Sequence, residues 1–282
     1  MFPLLLCVLE HPTQYDPPLW RCLTRRQKLR PVVFYKLAGV PRDSEIDIQP
    51  RWGHVPGDGY DLYTGSYSRL LRELASGKLR PSAVLTSGWT RPLNWGATLV
   101  CIARGIPCIL PSDRVEAQGA TSGCRRLLCM LKNQPFSGFF TTGSRGADAL
   151  QAQGVRSEQI ATGLYPVDVQ WWLKRREEGR ASSEALRSWA GRGNPLVLAV
   201  SKMSEREAPV TIIDAFAKLH SHRPDARLIY VGDGPMRATA EARVAALALE
   251  REIRMVGYIP YTALGGYYGA ADVFLHAAEF EP

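Results

Sequence analysis

Four short apolar runs in the C-terminal half, at residues 196–200, 227–231, 253–256 and 273–275, are separated by stretches of helical period at 210–220, 235–250 and 261–271. Runs of this length without polar alternation are strands buried on both faces, and the helices between them supply the crossovers that parallel pairing requires. The N-terminal half repeats the pattern. Strands are expected at 4–9, 31–35, 83–86, 108–110, 139–142 and 159–162, and helices at 18–26, 67–75, 94–104, 124–132 and 144–153. The fold class that follows is α/β, with parallel sheets. Residues 36–66 break the rhythm with Gly, Pro, Asp and aromatic residues, including Trp52, His54, Gly57, Gly59 and Tyr60, and read as a long functional loop.

At 282 residues the chain can bury two cores. A composition shift at 163–168 puts the boundary there, giving an N-terminal domain at 1–170 and a C-terminal domain at 171–282. The charged stretch after it carries Trp171 and Trp172 side by side, and helical spacing lets one of them pack inward. A formal charge of +8, from 35 basic and 27 acidic residues, favours phosphate-bearing partners. No nucleic-acid module accompanies it, so nucleic acid is not an expected partner. The opening apolar run lacks a basic leader and is too short for a bilayer, and no other run approaches the roughly 20 apolar residues of a membrane helix. Six cysteines without a C-x-x-C pair read as buried, reduced thiols of a cytoplasmic protein, and no His/Cys cluster suggests a metal. Residues 124–132 form a basic amphipathic stretch. It reads as an ordinary domain helix with a solvated basic edge, with peripheral contact to a membrane as the alternative.

In open parallel sheets ligands bind beyond the carboxyl ends of the strands. Those ends carry Lys202, the turn Gly232-Asp233-Gly234-Pro235, the segment from Gly257 through Tyr258 to Pro260, and the acidic pair Glu279 and Glu281. A glycine turn before a helix admits a ligand to backbone amides, and proline suits the first helical turn. Lysine supplies the charge that a diphosphate requires. Glutamates beside phosphates are better aimed at sugar hydroxyls, and together these groups outline a nucleotide-sugar site. The bland alternatives are a tight turn, a surface lysine and a solvated acidic end. The G-x-G-x-x-G fingerprint is absent, which argues against a dinucleotide cofactor.

The segment 196–282, with V-S-K-M-S-E-R-E-A-P-V, R-L-I-Y-V-G-D-G-P-M-R and V-G-Y-I-P through A-A-D-V-F-L-H-A-A-E-F-E-P, resembles the donor-binding domain of group 1 (GT4) glycosyltransferases of the GT-B fold. The opening V-L-E-H-P-T-Q-Y and the later R-G-I-P-C resemble the acceptor domain of one branch of that family. The resemblance implies two Rossmann-like domains facing across a cleft. It implies that Lys202 contacts the donor diphosphate, that Gly232, Asp233 and Gly234 shape the nucleotide pocket, and that Tyr258 and Pro260 lie beside the base. Glu281 aligns with the first glutamate of the E-x7-E signature that holds the transferred sugar, with Glu279 beside it. His11 falls near the reacting centre, and Gln14, Trp89, Asp113 and Arg114 on the acceptor side. Asp113 and Arg114 equally suit a structural ion pair.

Two departures accompany the resemblance. The second basic residue of the phosphate clamp aligns with Glu207, leaving the adjacent Arg206 as the substitute. The signature's second glutamate would fall past Pro282, so the donor domain is expected to be incomplete, as in a fragment or truncated product. The function implied is transfer of a sugar from a nucleotide diphosphate-sugar to an acceptor hydroxyl, retaining, metal-independent and without a further cofactor. The acceptor would be a glycan, a lipid-linked or a small molecule. The alternative is a non-catalytic relic or nucleotide-sugar-binding protein of the same fold.

Overall fold

The computed structural model describes residues 2–44, 46–50, 52–88, 92–113 and 123–278, and the chain divides into two compact units. The first comprises residues 1–40 and 54–167, and the second Pro41–Gly53 with Asp168–Glu281. A thirteen-residue piece of the long N-terminal loop therefore belongs to the C-terminal unit.

In the first unit, strands β1 (Leu4–Leu9), β2 (Arg30–Tyr35), β3 (Asp61–Leu62), β4 (Ala83–Thr86), β5 (Cys108–Ser112), β6 (Gly138–Thr141) and β7 (Ile160–Thr162) form one parallel sheet in the order β3-β2-β1-β4-β5-β6-β7. Helices α1 (Asp16–Arg25), α2 (Tyr67–Ala75), α3 (Pro92–Arg104), α4 (Gly123–Asn133) and α5 (Ser144–Ala152) connect them. The unbroken apolar run of β1 is explained by burial on both faces. Leu6 and Val8 join Leu70 and Leu74 of α2, Ala97 and Cys101 of α3 and Leu150 of α5 in one core. Leu5 and Cys7 point the other way, to Trp20 of α1 and to Tyr60. The loop expected to be structureless contributes β3, whose pairing with β2 extends the sheet by one short strand.

The second unit adds α6 (Val169–Glu178), α7 (Arg180–Ala190), β8 (Leu196–Val200), α8 (Pro209–His222), β9 (Arg227–Val231), α9 (Arg237–Ala246), β10 (Ile253–Gly257), α10 (Leu264–Ala270) and β11 (Val273–Phe274). Its four strands are parallel, in the order β10-β9-β8-β11. Val197 and Ala199 face Ile212, Ile213 and Phe216 of α8 and Ala240 and Val244 of α9. Leu196 and Leu198 face Leu186 and Ala190 of α7 and Leu264 of α10. Truncating a core aromatic such as Phe216 to alanine typically costs about 3–5 kcal/mol.

The charged stretch after the boundary is two helices broken at Gly179. A Cβ there would come within 2.6 Å of the backbone of Gly266 in α10, and one on Gly266 within 2.8 Å of the Gly179 carbonyl, so paired glycines let the helices touch backbone to backbone. The Ser183 hydroxyl donates across this crossing to the Gly266 carbonyl at 2.6 Å. Both tryptophans pack, not one. Trp171 stacks on Tyr261 with ring centroids 5.4 Å apart and takes the Arg175 guanidinium over its face, while Trp172 meets Tyr261 and Tyr268 edge-on. The expectation of buried thiols holds for Cys7, Cys101 and Cys108, but Cys22 and Cys124 are exposed because they lie on the outer faces of α1 and α4. No described helix is long and apolar enough to cross a membrane.

Strand β11 is short and is held at its start by Asp272. Its carboxylate accepts from Arg187 of α7 at 2.5 and 2.8 Å and from the Leu196 amide at 2.8 Å. The Arg187 hydrogen bonds hold the Asp272 carboxyl below its ordinary value, against opposing desolvation. Its folded pKa lies under the unfolded one, so the stabilisation is complete above the ordinary carboxylate range and is lost as pH falls through the depressed value. Asp272→Ala is expected to cost about 1–2 kcal/mol at neutral pH, since the pair is partly exposed. The loss should shrink as urea titrations are taken below about pH 4. A pH-independent difference would show that the ion pair is not its source.

Candidate functional site

The strand order of the second unit reverses beside β8, with β9 and β10 on one side and β11 on the other. Doubly wound sheets take their ligands at such a switch point, beyond the carboxyl ends of the strands that flank it, here β8 and β11. Lys202 lies two residues past the end of β8, and Gly232, Asp233 and Gly234 follow the neighbouring β9. Tyr258 and Pro260 follow β10. These six residues therefore sit along one edge of one sheet.

The loops after β8 and β9 are locked together. The Ser201 amide donates to the Val231 carbonyl at 3.1 Å, the Met203 amide to Asp233 at 3.0 Å and the Met236 amide to Met203 at 2.8 Å. The Gly232 amide reaches across to Gly257 at 2.8 Å, closing β9 against β10. A Cβ on Gly232 would collide with the Ser201 carbonyl oxygen, and one on Gly234 would lie 2.6 Å from that of Met203. Glycine is thus required here by the approach of one protein loop to another, whatever ligand the edge takes. The following helix begins at Arg237, so Pro235 stands before its first turn instead of in it. The Asp233 carboxylate braces the turn, accepting from the Gly234 amide at 2.8 Å and from Arg237 at 3.0 Å.

The two expected cations differ. The Arg206 guanidinium donates to the Glu207 carboxylate at 2.6 Å, within the 3-10 turn Glu205–Glu207. Glu207 is buried, with side-chain exposure of 8% against 52% for Arg206. Glu207 thus draws its neighbouring arginine onto itself. Lys202 instead meets an acid from far away in sequence, with its Nζ 2.6 Å from Oδ2 of Asp43 in Pro41–Gly53. That segment is braced internally. The Asp43 amide donates to the Ile48 carbonyl at 2.8 Å, and Arg42 donates to the carbonyl and the carboxylate of Asp47, both at 2.8 Å. Trp52 anchors its end edge-on against Tyr261 at 5.6 Å. Between segment and sheet lies a cleft of about 360 Å³ lined by Arg42, Ile48, Gln49, Tyr258 and Pro260.

In the first unit, His11 follows β1 and its Nδ1 lies 3.1 Å from the Pro12 carbonyl. Gln14 is half-buried in the same turn. Asp16, which sequence reasoning passed over, opens α1 and accepts from the Thr13 amide at 3.0 Å. Loss of solvation raises its pKa, opposed by the Thr13 hydrogen bonds and by His11. Asp113 follows β5 and accepts from the Tyr165 hydroxyl at 2.9 Å. Tyr165 lies in the left-handed region at φ 64° and packs against Tyr15 with centroids 4.9 Å apart. Burial and then the Asp113 hydrogen bond keep its phenol protonated far above the ordinary range. Tyr165 was legible only as part of the linking segment, and its unusual φ gives no sequence signal in a non-glycine residue.

Trp89, Arg114, Glu279 and Glu281 lie outside the described residues. Among the described residues no group of three His, Cys, Asp or Glu side chains could hold a metal ion. The loop locking predicts that Gly232→Ala costs about 2–4 kcal/mol, because the clash is with backbone that cannot rotate away. A urea midpoint within error of the parent would show that the loops separate freely.

The family described as "Glycosyl transferases group 1" matches residues 187–282. Alpha-monoglucosyldiacylglycerol synthase of Acholeplasma laidlawii is 26% identical over 86 residues, 30% of this chain and 22% of that protein. The chain thus spans less than a quarter of this curated relative's length in the matched region. The fold has solved counterparts. The Anabaena protein HepE in complex with UDP superposes with a TM-score of 0.66 at 13% identity, covering 99% of this chain and 74% of that one. A glycosyltransferase from Rickettsia africae superposes with a TM-score of 0.67 at 12% identity, covering 98% and 73%. Residues 187–282 thus match the group 1 glycosyltransferase family, in a chain whose Rossmann-like α/β fold is of the GT-B class.

Proposed function

We propose that this chain is a glycosyltransferase that binds a nucleotide diphosphate-sugar at the carboxyl edge of the β10-β9-β8-β11 sheet and passes the sugar to an acceptor hydroxyl. The carrying observation is Lys202 at the strand-order reversal, within the segment that matches the family. The domain at 171–282 holds the donor, and the one at 1–170 the acceptor. Lys202 opposes the charge that develops on the departing diphosphate, an interaction stronger in the transition state than in the ground state. Tyr258 and Pro260 flank the base, and Gly232 to Gly234 shape the pocket around the nucleotide. Glu281, with Glu279 beside it, holds the transferred sugar through its hydroxyls. His11 stands near the reacting centre, with Gln14, Trp89, Asp113 and Arg114 orienting the acceptor. Transfer is retaining and needs no metal, the leaving charge being met by lysine and backbone amides.

The UDP bound to HepE supports a nucleoside diphosphate as the ligand class. Lys202→Ala is expected to weaken UDP binding by calorimetry roughly tenfold, and Arg206→Ala less than twofold, because Arg206 is held by Glu207. Equal losses would show that the clamp is misassigned.

A second reading, nucleotide-sugar binding without turnover, is favoured by Glu207, which removes a cation from the leaving-group site. Release of UDP from UDP-sugars in the presence of candidate acceptors separates the two: binding without any release over hours supports the second.

Helix α4 supports a lipid-linked acceptor and peripheral membrane contact. It exposes Leu127, Leu128, Met130 and Leu131 beside Arg126 and Lys132, the composition of an interfacial helix. The paired change Leu128→Asp with Leu131→Asp should lower sedimentation with phosphatidylglycerol vesicles roughly tenfold. Unchanged sedimentation would assign those leucines elsewhere.

A further inference from the structure

We propose that Asp43 is a donor-site residue, a carboxylate that pairs with Lys202 and must yield it to the diphosphate; this rests on the donor site proposed above. Three observations carry the inference. The ion pair joins residues 159 positions apart (202 minus 43), with side-chain exposures of 38% for Lys202 and 18% for Asp43, so the carboxylate is the more enclosed partner. The segment presenting it is preformed. The 43–48 bridge and the Arg42–Asp47 contacts hold it as a closed loop, and Trp52 against Tyr261 pins it to the second unit. Finally, the same segment walls the cleft beside Tyr258 and Pro260 through Arg42, the chain neighbour of Asp43, and through Ile48 and Gln49.

A carboxylate cannot share one ammonium with a diphosphate without like-charge repulsion in a partly desolvated site. Donor binding therefore breaks the Asp43–Lys202 pair and replaces one negative charge by a larger one. The pair keeps Lys202 directed at the strand edge while no donor is present, and it lowers the affinity for inorganic anions that carry less charge than a nucleoside diphosphate.

The test is a double-mutant cycle on the full chain, read by calorimetry with UDP, ADP and GDP. Asp43→Asn, which keeps the shape and loses the charge, should tighten nucleoside diphosphate binding about fivefold, the scale of a partly exposed ion pair. In the Lys202→Ala background the same substitution should change affinity less than twofold, since the cation it competes for is gone. Unchanged or weaker binding by Asp43→Asn, while Lys202→Ala still weakens binding, overturns the competition and leaves the donor site standing. Tightening of equal size in both backgrounds overturns it as well, as a general charge effect. If Lys202→Ala binds like the parent, or no nucleotide binds either the parent or Asp43→Asn, the donor-site reading falls and this inference with it.

Discussion

Strand β8 is the member on which the second unit depends. Leu196, Val197, Leu198 and Ala199 are all buried, facing helices on both sides of the sheet in alternation, and β8 pairs with β9 on one edge and β11 on the other. A parallel strand in that position has no free edge and no free face, so where it ends is where the sheet's chemistry can begin. The ends of its neighbours are drawn to it by backbone hydrogen bonds, which is why Gly232 and Gly234 cannot carry side chains.

Two acids pair with the cations that follow β8. Glu207 lies buried and draws Arg206 to itself, while Asp43 arrives from the other half of the sequence and meets Lys202. Lys202 and Arg206 are thus both paired, and the two pairs differ in kind. Arg206 and Glu207 are chain neighbours in one tight turn. Lys202 and Asp43 are joined only by folding.

The α/β alternation, the strand ends and the family resemblance over the C-terminal segment were all legible in sequence, because each rests on local apolar period and short motifs. Tyr165 and Asp16 were not, since a left-handed tyrosine and a desolvated aspartate look ordinary in a sequence. The 36–66 loop was legible as unusual through its glycines and aromatics, yet nothing local says that Pro41–Gly53 leaves one unit to join the other. The glycine turn was read as room for a ligand, and packing gave it a prior reason to be glycine.

By itself the sequence determined which residues stand at strand ends, because burial on two faces leaves only one pattern for a parallel strand and its crossover helix. Tertiary structure alone decided what those residues meet. Lys202 is a strand-end lysine in either view, but its pairing with Asp43 depends on chain closure over more than half the sequence, which no local pattern encodes.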